Sequence, residues 1–248
     1  MSFTKIHIYL YSFLITIFLL LAGSLNSYAQ NIPFSVRNQF FNNQKQNLKD
    51  TINRRTSIES PFIIGCYYNP VTNSESNHPY FKENKWVKGS LLYQGILYNV
   101  EHLKYDIEID KLIYLRYGKD NTMNCVALNE NFICEFCILN STFRYYNVLK
   151  DDTGRKLKAG YYEVVYDGDL KFLVRNEKSE TMNDFSSSTD LFLLKDGTMT
   201  GINSMGKLIR QLKDKETKVK EFVKDNSLKL NKSDYSSASG ILKFYENL

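Results

Sequence analysis

Three acidic residues at alternate positions, Asp106, Glu108 and Asp110, form the chain's most suggestive arrangement for chemistry. In a β-strand, alternate side chains lie on one face, so this spacing would place three carboxylates on one wall. Such carboxylates can act as acid and base in hydrolysis or bind a hard cation such as calcium. The sequence offers no facing carboxylate that we can identify, and strands that present alternate acids to water are common. We therefore assign these residues no catalytic or metal-binding role.

One of the chain's three histidines, His102, lies just before this acidic segment and could act as a general base. A general base needs hydrogen-bond access to a substrate and a partner that orients it, and the sequence indicates no such partner. The chain also lacks the GxSxG, HExxH and P-loop motifs. We therefore predict no catalytic residue and no cofactor.

The four cysteines are the second group that could carry chemistry. Cys134 and Cys137 form a CxxC motif, but a spacing of three in a strand places the two thiols on opposite faces, which suits neither redox chemistry nor zinc. A disulfide between Cys125 and Cys134 would form if their segments paired as a hairpin with these residues opposite each other. The alternative is that all four cysteines are free, buried thiols.

Residues 1–29 have the three parts of a secretory signal peptide. Lys5 supplies a positive start, residues 8–21 are almost wholly apolar, and Ser-Tyr-Ala at 27–29 places small residues before the expected cleavage site. The apolar part is shorter than the roughly 20 residues of a membrane-spanning helix, although a retained N-terminal anchor is an alternative. We expect an exported protein, in the periplasm or at the cell surface, with no transmembrane span in its mature part.

The net positive charge of the mature chain lies in its last part. Residues 204–248 hold 10 basic and 6 acidic side chains. Such a charge could attract an anionic partner, but a solvated, lysine-rich helix face explains it more simply. For an exported protein, nucleic acid is a poor candidate partner.

The longest segment rich in Leu, Ile, Val and Tyr is residues 88–117, which we predict to form the centre of an antiparallel sheet. Apolar and charged residues alternate from Leu103 to Asp110, which is typical of a strand with one buried and one solvated face. The apolar residues upstream have the opposite parity. A bulge or bend is therefore predicted near Glu101-His102, where it would help the sheet to curve.

Two hairpins are predicted further along the chain. Residues 161–175 favour a three-residue loop, such as Asp167-Gly168-Asp169, with a bulge at the turn, because their apolar residues would then share one face. Residues 191–202 form the second hairpin, in which Asp196-Gly197 suits a type I′ turn. The serines at 186–188 are expected to lie in the loop between the two hairpins.

After Ser204 the apolar period changes from two to about 3.6 residues, which predicts two or three short helices. Ser204, Asp214 and Ser233 are the expected N-caps. Helices this short are not stable alone in water, so they must pack on another apolar surface. The predicted sheet provides that surface.

These elements predict an α+β fold. We expect a polar N-terminal arm over residues 30–60 and a curved, mostly antiparallel sheet of eight to ten strands over 61–203. A helical cap over 204–248 would pack on the sheet.

Three passages carry a resemblance to other proteins. They are LKYDIEIDKLI at residues 103–113, GYYEVVYDGDLKFL at 160–173, and the lysine-rich helical end at 206–248. In these passages the chain resembles exported proteins of unknown function that are common in the Bacteroidota. The resemblance implies a location in the cell envelope and supplies no catalytic residues.

The sequence therefore predicts a non-enzymatic envelope protein that binds a partner protein or a small ligand. One alternative is a periplasmic or secreted hydrolase that uses the carboxylates of the central sheet. Another is a structural or assembly protein of the cell surface.

Overall fold

Twelve strands form one curved, largely antiparallel sheet in the computed structural model, which describes residues 62, 64–70, 75–117, 121–147, 149–182 and 184–248. In chain order the strands are β1 Gly65–Tyr67, β2 Val87–Tyr93, β3 Ile96–Asp106, β4 Lys111–Tyr117, β5 Met123–Leu128, β6 Ile133–Ile138, β7 Ser141–Tyr146, β8 Lys150–Asp151, β9 Gly160–Asp167, β10 Lys171–Thr181, β11 Asp184–Lys195 and β12 Thr198–Ile202. Their order across the sheet is β1-β5-β4-β3-β2-β6-β7-β9-β10-β11-β12-β8, and only β12 and β8 pair in parallel. The predicted signal peptide and polar arm lie outside the described residues.

Three short helices follow the sheet. They are α1 Met205–Gln211, α2 Glu216–Asp225 and α3 Ser237–Glu246. The predicted α+β fold, with a curved antiparallel sheet and C-terminal helices, is confirmed. The described sheet has twelve strands where eight to ten were predicted, partly because a strand as short as β8 has no pattern of its own. No helix in the described ranges is long and apolar enough to cross a membrane.

The connection between β5 and β6 requires the sheet to curl. The strands β4, β3 and β2 lie between them, which in a flat sheet would separate β5 from β6 by about 19 Å. The five peptide steps from Leu128 to Ile133 reach at most about 18 Å, and a turn of 3₁₀ helix at Glu130–Phe132 shortens this reach. The curled strands enclose the first core, which includes Leu91, Leu103, Tyr105, Phe136, Phe143 and Tyr161.

The bulge or bend predicted near Glu101-His102 is confirmed, and it is a β-bulge. These two residues of β3 oppose the single residue Lys88 of β2. The bulge leaves Glu101 in reach of Lys88, whose Nζ lies 2.7 Å from the Glu101 carboxylate. Because bulges increase the local twist, this one helps β2 and β3 to follow the curl of the sheet.

The strand β3 is covered on both faces, so its predicted solvated face is wrong. Tyr105 packs in the first core, while Lys104 and Asp106 on the opposite face are only 7% and 2% exposed. The segment between β1 and β2 covers this second face, and Lys104 Nζ lies 4.3 Å from the ring centre of Tyr80. Alternation in β3 therefore separates two buried environments.

The hairpin of β9 and β10 has the predicted odd-length loop, displaced by one residue. The loop is Gly168-Asp169-Leu170. The bulge lies at Val165 within β9, and the prediction of a bulge at the turn is wrong. Consequently, Val164 and Tyr166 pack on opposite faces of the sheet, where one shared face was predicted.

The hairpin of β11 and β12 has the predicted type I′ turn, since Asp196 and Gly197 have φ angles of 49° and 76°. The predicted loop at residues 186–188 is wrong, because these serines lie in β11. β10 and β11 pair beyond their apolar parts, and Ser179 Oγ lies 2.9 Å from Ser186 Oγ across the ladder. Backbone pairing thus continues where the hydrophobic pattern has ended.

The three helices cover the face of β10–β12 that carries the second core. This core includes Phe172, Val174, Leu191, Leu193, Ile202, Leu208, Val219, Ile241 and Leu242. Ser204 caps α1 as predicted, because its Oγ accepts a hydrogen bond from Lys207 N. The other two predicted caps are wrong: Asp214 instead accepts a hydrogen bond from Tyr245 OH, and α3 begins after Ser236.

Candidate functional site

A cleft of about 380 Å³ lies between the sheet and the segment that connects α2 to α3. Residues 140–142, from the β6–β7 turn and the start of β7, line one side. Residues 163–165 of β9 and residues 233–236 of the α2–α3 connection complete the lining. Cavities of about 300–1,000 Å³ are typical of small-molecule sites, so this cleft suits a small ligand.

Local hydrogen bonds hold the α2–α3 connection in shape. Asn231 Oδ1 accepts hydrogen bonds from the backbone N–H groups of Ser233 and Asp234, at 2.9 and 2.8 Å. Asp234 Oδ1 in turn accepts from the N–H and hydroxyl of Ser236, at 3.2 and 2.8 Å. Short side chains that bond to nearby backbone are typical of turns, so the sequence itself favours this conformation.

Glu163 is a nearly buried carboxylate in the lining of the cleft, only 7% exposed. Its Oε2 accepts hydrogen bonds from Asn176 Nδ2 at 3.1 Å and from Tyr235 OH at 3.0 Å. Its Oε1 has no hydrogen-bond partner among the residues that the structure describes. The strand pairing places Glu163 between Phe143 and Val174, so its sheet neighbours are apolar.

Tyr235 and Asn176 are positioned to donate to this carboxylate. Burial and the negative charge of Glu163 raise the pKa of Tyr235 to about 12, so its hydroxyl keeps its proton at neutral pH. Asn176 Oδ1 accepts a hydrogen bond from Thr189 Oγ1 at 3.2 Å, which orients the amide nitrogen toward Glu163. One carboxylate oxygen is therefore satisfied by the protein.

The lining of the cleft is polar and negatively charged. It contains Glu163 and Asp234, several hydroxyl groups and one amide, and no lysine, arginine or histidine. Lys82, near one end, donates to Ser141 Oγ at 3.1 Å. Such a lining can bind polar ligands, but it lacks a nucleophile paired with a base.

Asp106 is not on the predicted acidic wall, because its carboxylate is enclosed. Its Oδ2 accepts from Tyr68 OH at 2.7 Å, and its Oδ1 accepts from the backbone N–H groups of Glu108 and Ile109. Burial raises the pKa of Asp106 and outweighs these hydrogen bonds, which act to lower it. These contacts stabilise the turn that follows β3.

Asp110 lies in the β3–β4 turn, residues 107–110, which is inserted between β9 and β10. Its carboxylate accepts from Arg175 Nη2 at 2.9 Å, from Tyr105 OH at 2.6 Å and from the backbone N–H of Tyr161 at 3.3 Å. The carbonyl of Ile107 accepts from the backbone N–H of Lys178 at 3.3 Å. The three acids therefore do not share one strand face: Asp106 ends β3, while Glu108 and Asp110 lie in the turn, where Asp110 connects distant parts of the sheet.

His102, Cys125 and Cys134 also lie outside the cleft lining. The His102 ring packs 5.6 Å from the ring centre of Tyr117. Cys125 in β5 and Cys134 in β6 form no disulfide, and three strands separate β5 from β6. The hairpin on which the predicted disulfide depends is not formed, because β6 pairs with β2 instead. No group of three or more metal-binding side chains occurs among the described residues.

The sequence reasoning missed Glu163 and Tyr235. Glu163 had a usable signal, because it is the one charged residue in the apolar run YYEVVY. A charged group in such a run must find partners or remain near solvent. Tyr235 had no comparable signal, since its role depends on how the α2–α3 connection folds over β9.

Comparisons with known proteins give no information on the function of this cleft. No family model, curated protein or solved structure matches this chain. The cleft combines a nearly buried carboxylate, hydroxyl groups and one aromatic side chain. These groups can fix the orientation of a small polar molecule.

Proposed function

We propose that this chain is an exported ligand-binding module of the cell envelope, which binds a small polar ligand in the cleft beside Glu163. The observation that carries the proposal is a carboxylate that is 7% exposed, lines the cleft and leaves one oxygen without a partner in the described residues. Glu163 Oε1 is not among the described side-chain atoms that are fully buried without a hydrogen-bond partner, so it is open to the cleft, where a ligand can donate to it.

A binding role also agrees with the partners of the other acidic residues. The carboxylates of Asp106 and Asp110 accept hydrogen bonds from tyrosine hydroxyls and backbone N–H groups. These contacts assign both residues to holding the sheet together. Neither carboxylate is therefore placed to act on a substrate in the way that the hydrolase alternative would require of it.

Export is supported by sequence features. The leader at residues 1–29 has the charge, apolar length and small residues of a signal peptide. The resemblance to exported Bacteroidota proteins supports the same location. Fractionation of cells that express the full chain tests this: we expect a shortened protein outside the cytoplasm, and a full-length cytoplasmic protein would contradict export.

Binding in the cleft can be tested by blocking it. Ser236 is exposed at the cleft, and Ser236→Trp would fill part of the space with a large ring. Ser186→Trp is the matched control, since Ser186 is an exposed serine of β11 outside the lining. Ligand-observed NMR would screen three probe groups: neutral sugars, amino sugars and short diamines.

We expect at least one probe group to bind the wild type and the Ser186→Trp variant but not the Ser236→Trp variant. A result in which all three proteins give the same signals for every probe group would contradict a binding site in the cleft.

A further inference from the structure

We infer that the ligand of the cleft carries an ammonium group, which donates hydrogen bonds to Oε1 of Glu163. This inference rests on the proposed binding function and specifies the chemistry of the ligand. The two carboxylate oxygens of Glu163 differ in their contacts. Oε2 accepts hydrogen bonds from two protein donors, and Oε1 accepts none from the described residues.

An incompletely paired carboxylate costs free energy where its neighbours are apolar. Glu163 lies between apolar neighbours on β7 and β10 and is largely removed from water. A charged group in such a place gains most from a charged donor, because charge-assisted hydrogen bonds are roughly twice as strong as neutral ones. An ammonium group supplies three N–H donors and a compensating charge.

The described protein residues do not supply this compensating charge. None of the described ion pairs includes Glu163, and the cleft lining contains no lysine or arginine. Lys82, at the Ser141 end, bonds to a hydroxyl. The side chain of Tyr235 adds an aromatic surface, and aromatic faces attract cations.

Other ligand classes fit the lining less well. Glu163 and Asp234 would repel an anionic ligand. A calcium ion takes six to eight oxygen ligands, often from several carboxylates, and the described residues contain no group of three metal-binding side chains. A neutral sugar could bond to the hydroxyl rim but would leave the charge of Glu163 without compensation.

The size and rim of the cleft suggest two sources of the ammonium group. A volume of about 380 Å³ accommodates a short diamine or a single amino sugar. Thr142, Ser233 and Ser236 in the lining could also bond to sugar hydroxyls. The test therefore uses cadaverine and glucosamine, with N-acetylglucosamine as a neutral analogue of glucosamine.

Isothermal titration of these three probes into the wild type and the Glu163→Gln variant tests the inference. The glutamine oxygen can still accept from Asn176 and Tyr235, so the substitution removes the charge with little change in shape. We expect Glu163→Gln to weaken the binding of at least one amine by about 10-fold or more, the scale of a lost charged hydrogen bond. The control Glu180→Gln, at an exposed carboxylate of β10, should leave binding unchanged.

The outcomes separate the inference from the proposed function. Amine binding that Glu163→Gln leaves unchanged overturns the inference, as does tighter binding of N-acetylglucosamine than of either amine. If only neutral sugars bind, and Ser236→Trp abolishes that binding, the proposed function stands and the inference fails. If Ser236→Trp affects no probe, both fail.

If Glu163→Gln does not fold, the salt dependence of ligand binding to the wild type tests the inference instead. Charged contacts weaken with salt, because the Debye length falls from about 30 Å at 0.01 M to about 10 Å at 0.1 M ionic strength. Amine binding should therefore weaken as salt is added, while N-acetylglucosamine binding stays constant. Salt-independent amine binding would contradict the inference.

Discussion

Removing one partner of the buried pair of Arg175 and Asp110 should destabilise the protein far more than removing one partner of an exposed ion pair of similar length. Their side chains are 6% and 16% exposed, and the pair holds the β3–β4 turn between β9 and β10. Removing one partner of a buried pair costs about 3–5 kcal/mol, because the other charge is left without compensation. Arg175→Leu should therefore lower the free energy of unfolding by about 3–5 kcal/mol.

The matched control is Lys88→Leu. Lys88 pairs with Glu101 at 2.7 Å, but these side chains are 80% and 66% exposed. Exposed pairs contribute about 0–1 kcal/mol, so this variant should stay within about 1 kcal/mol of the wild type. Both pairs have similar distances, so the comparison isolates the effect of burial.

Urea unfolding followed by circular dichroism measures both variants. The double variant Asp110→Asn/Arg175→Leu, together with the single variants Asp110→Asn and Arg175→Leu, forms a double-mutant cycle. It should be less destabilised than the sum of the single losses, since it no longer leaves a buried carboxylate without its cation. Equal losses for Arg175→Leu and Lys88→Leu, or strictly additive losses in the cycle, would refute the assigned role of the turn.

Three further predictions concern the backbone, a helix cap and pH. Gly160→Ala should destabilise the protein by about 2 kcal/mol or more in urea unfolding, because Gly160 has a φ of 148° and its new Cβ would meet the Asp110 carboxylate; a neutral effect would be inconsistent with this geometry. Ser204→Ala should cost about 1 kcal/mol through loss of the α1 cap, whereas Ser204→Gly should cost only a few tenths, and equal losses would argue against capping. Burial raises the pKa of Asp106, so its contribution to stability is full below the unfolded pKa and is lost as pH rises through the folded pKa. The stability of Asp106→Asn relative to the wild type should therefore increase as pH rises from about 3.5 to 7, a range that begins near the unfolded Asp pKa. Asp167 has the opposite sign, because Arg144 and Lys171 outweigh burial and lower its pKa, so its contribution to stability is present above the unfolded pKa and is lost as pH falls through the folded pKa. The stability of Asp167→Asn relative to the wild type should therefore decrease as pH rises from about 2 to 5. Parallel pH profiles for these two variants would contradict both assignments.

Features that depend on neighbouring residues were predictable from the sequence. A change of parity located the bulge at Glu101-His102, and Asp196-Gly197 gave the type I′ turn. Ser204 marked the start of α1 correctly. In each case the physical cause lies within a few residues, in strand alternation, turn conformation or a local hydrogen bond.

Features that depend on distant parts of the chain were not predictable. The pairing of β6 with β2 follows from the curl of the whole sheet, and it removes the hairpin expected for Cys125 and Cys134. The burial of Asp106 depends on the segment before β2, including Tyr68, which covers what alternation alone suggests is a solvated face. Tyr235 reaches Glu163 across 72 residues of sequence. No periodicity or local motif encodes such contacts.

The most direct test of the proposed site is a map of backbone amide chemical shifts during titration with glucosamine. We expect the shifts to cluster at residues 140–142, 163–165 and 233–236 and to disappear in the Ser236→Trp variant. Shifts that are absent, scattered over the surface or clustered around the β3–β4 turn would contradict a ligand site beside Glu163.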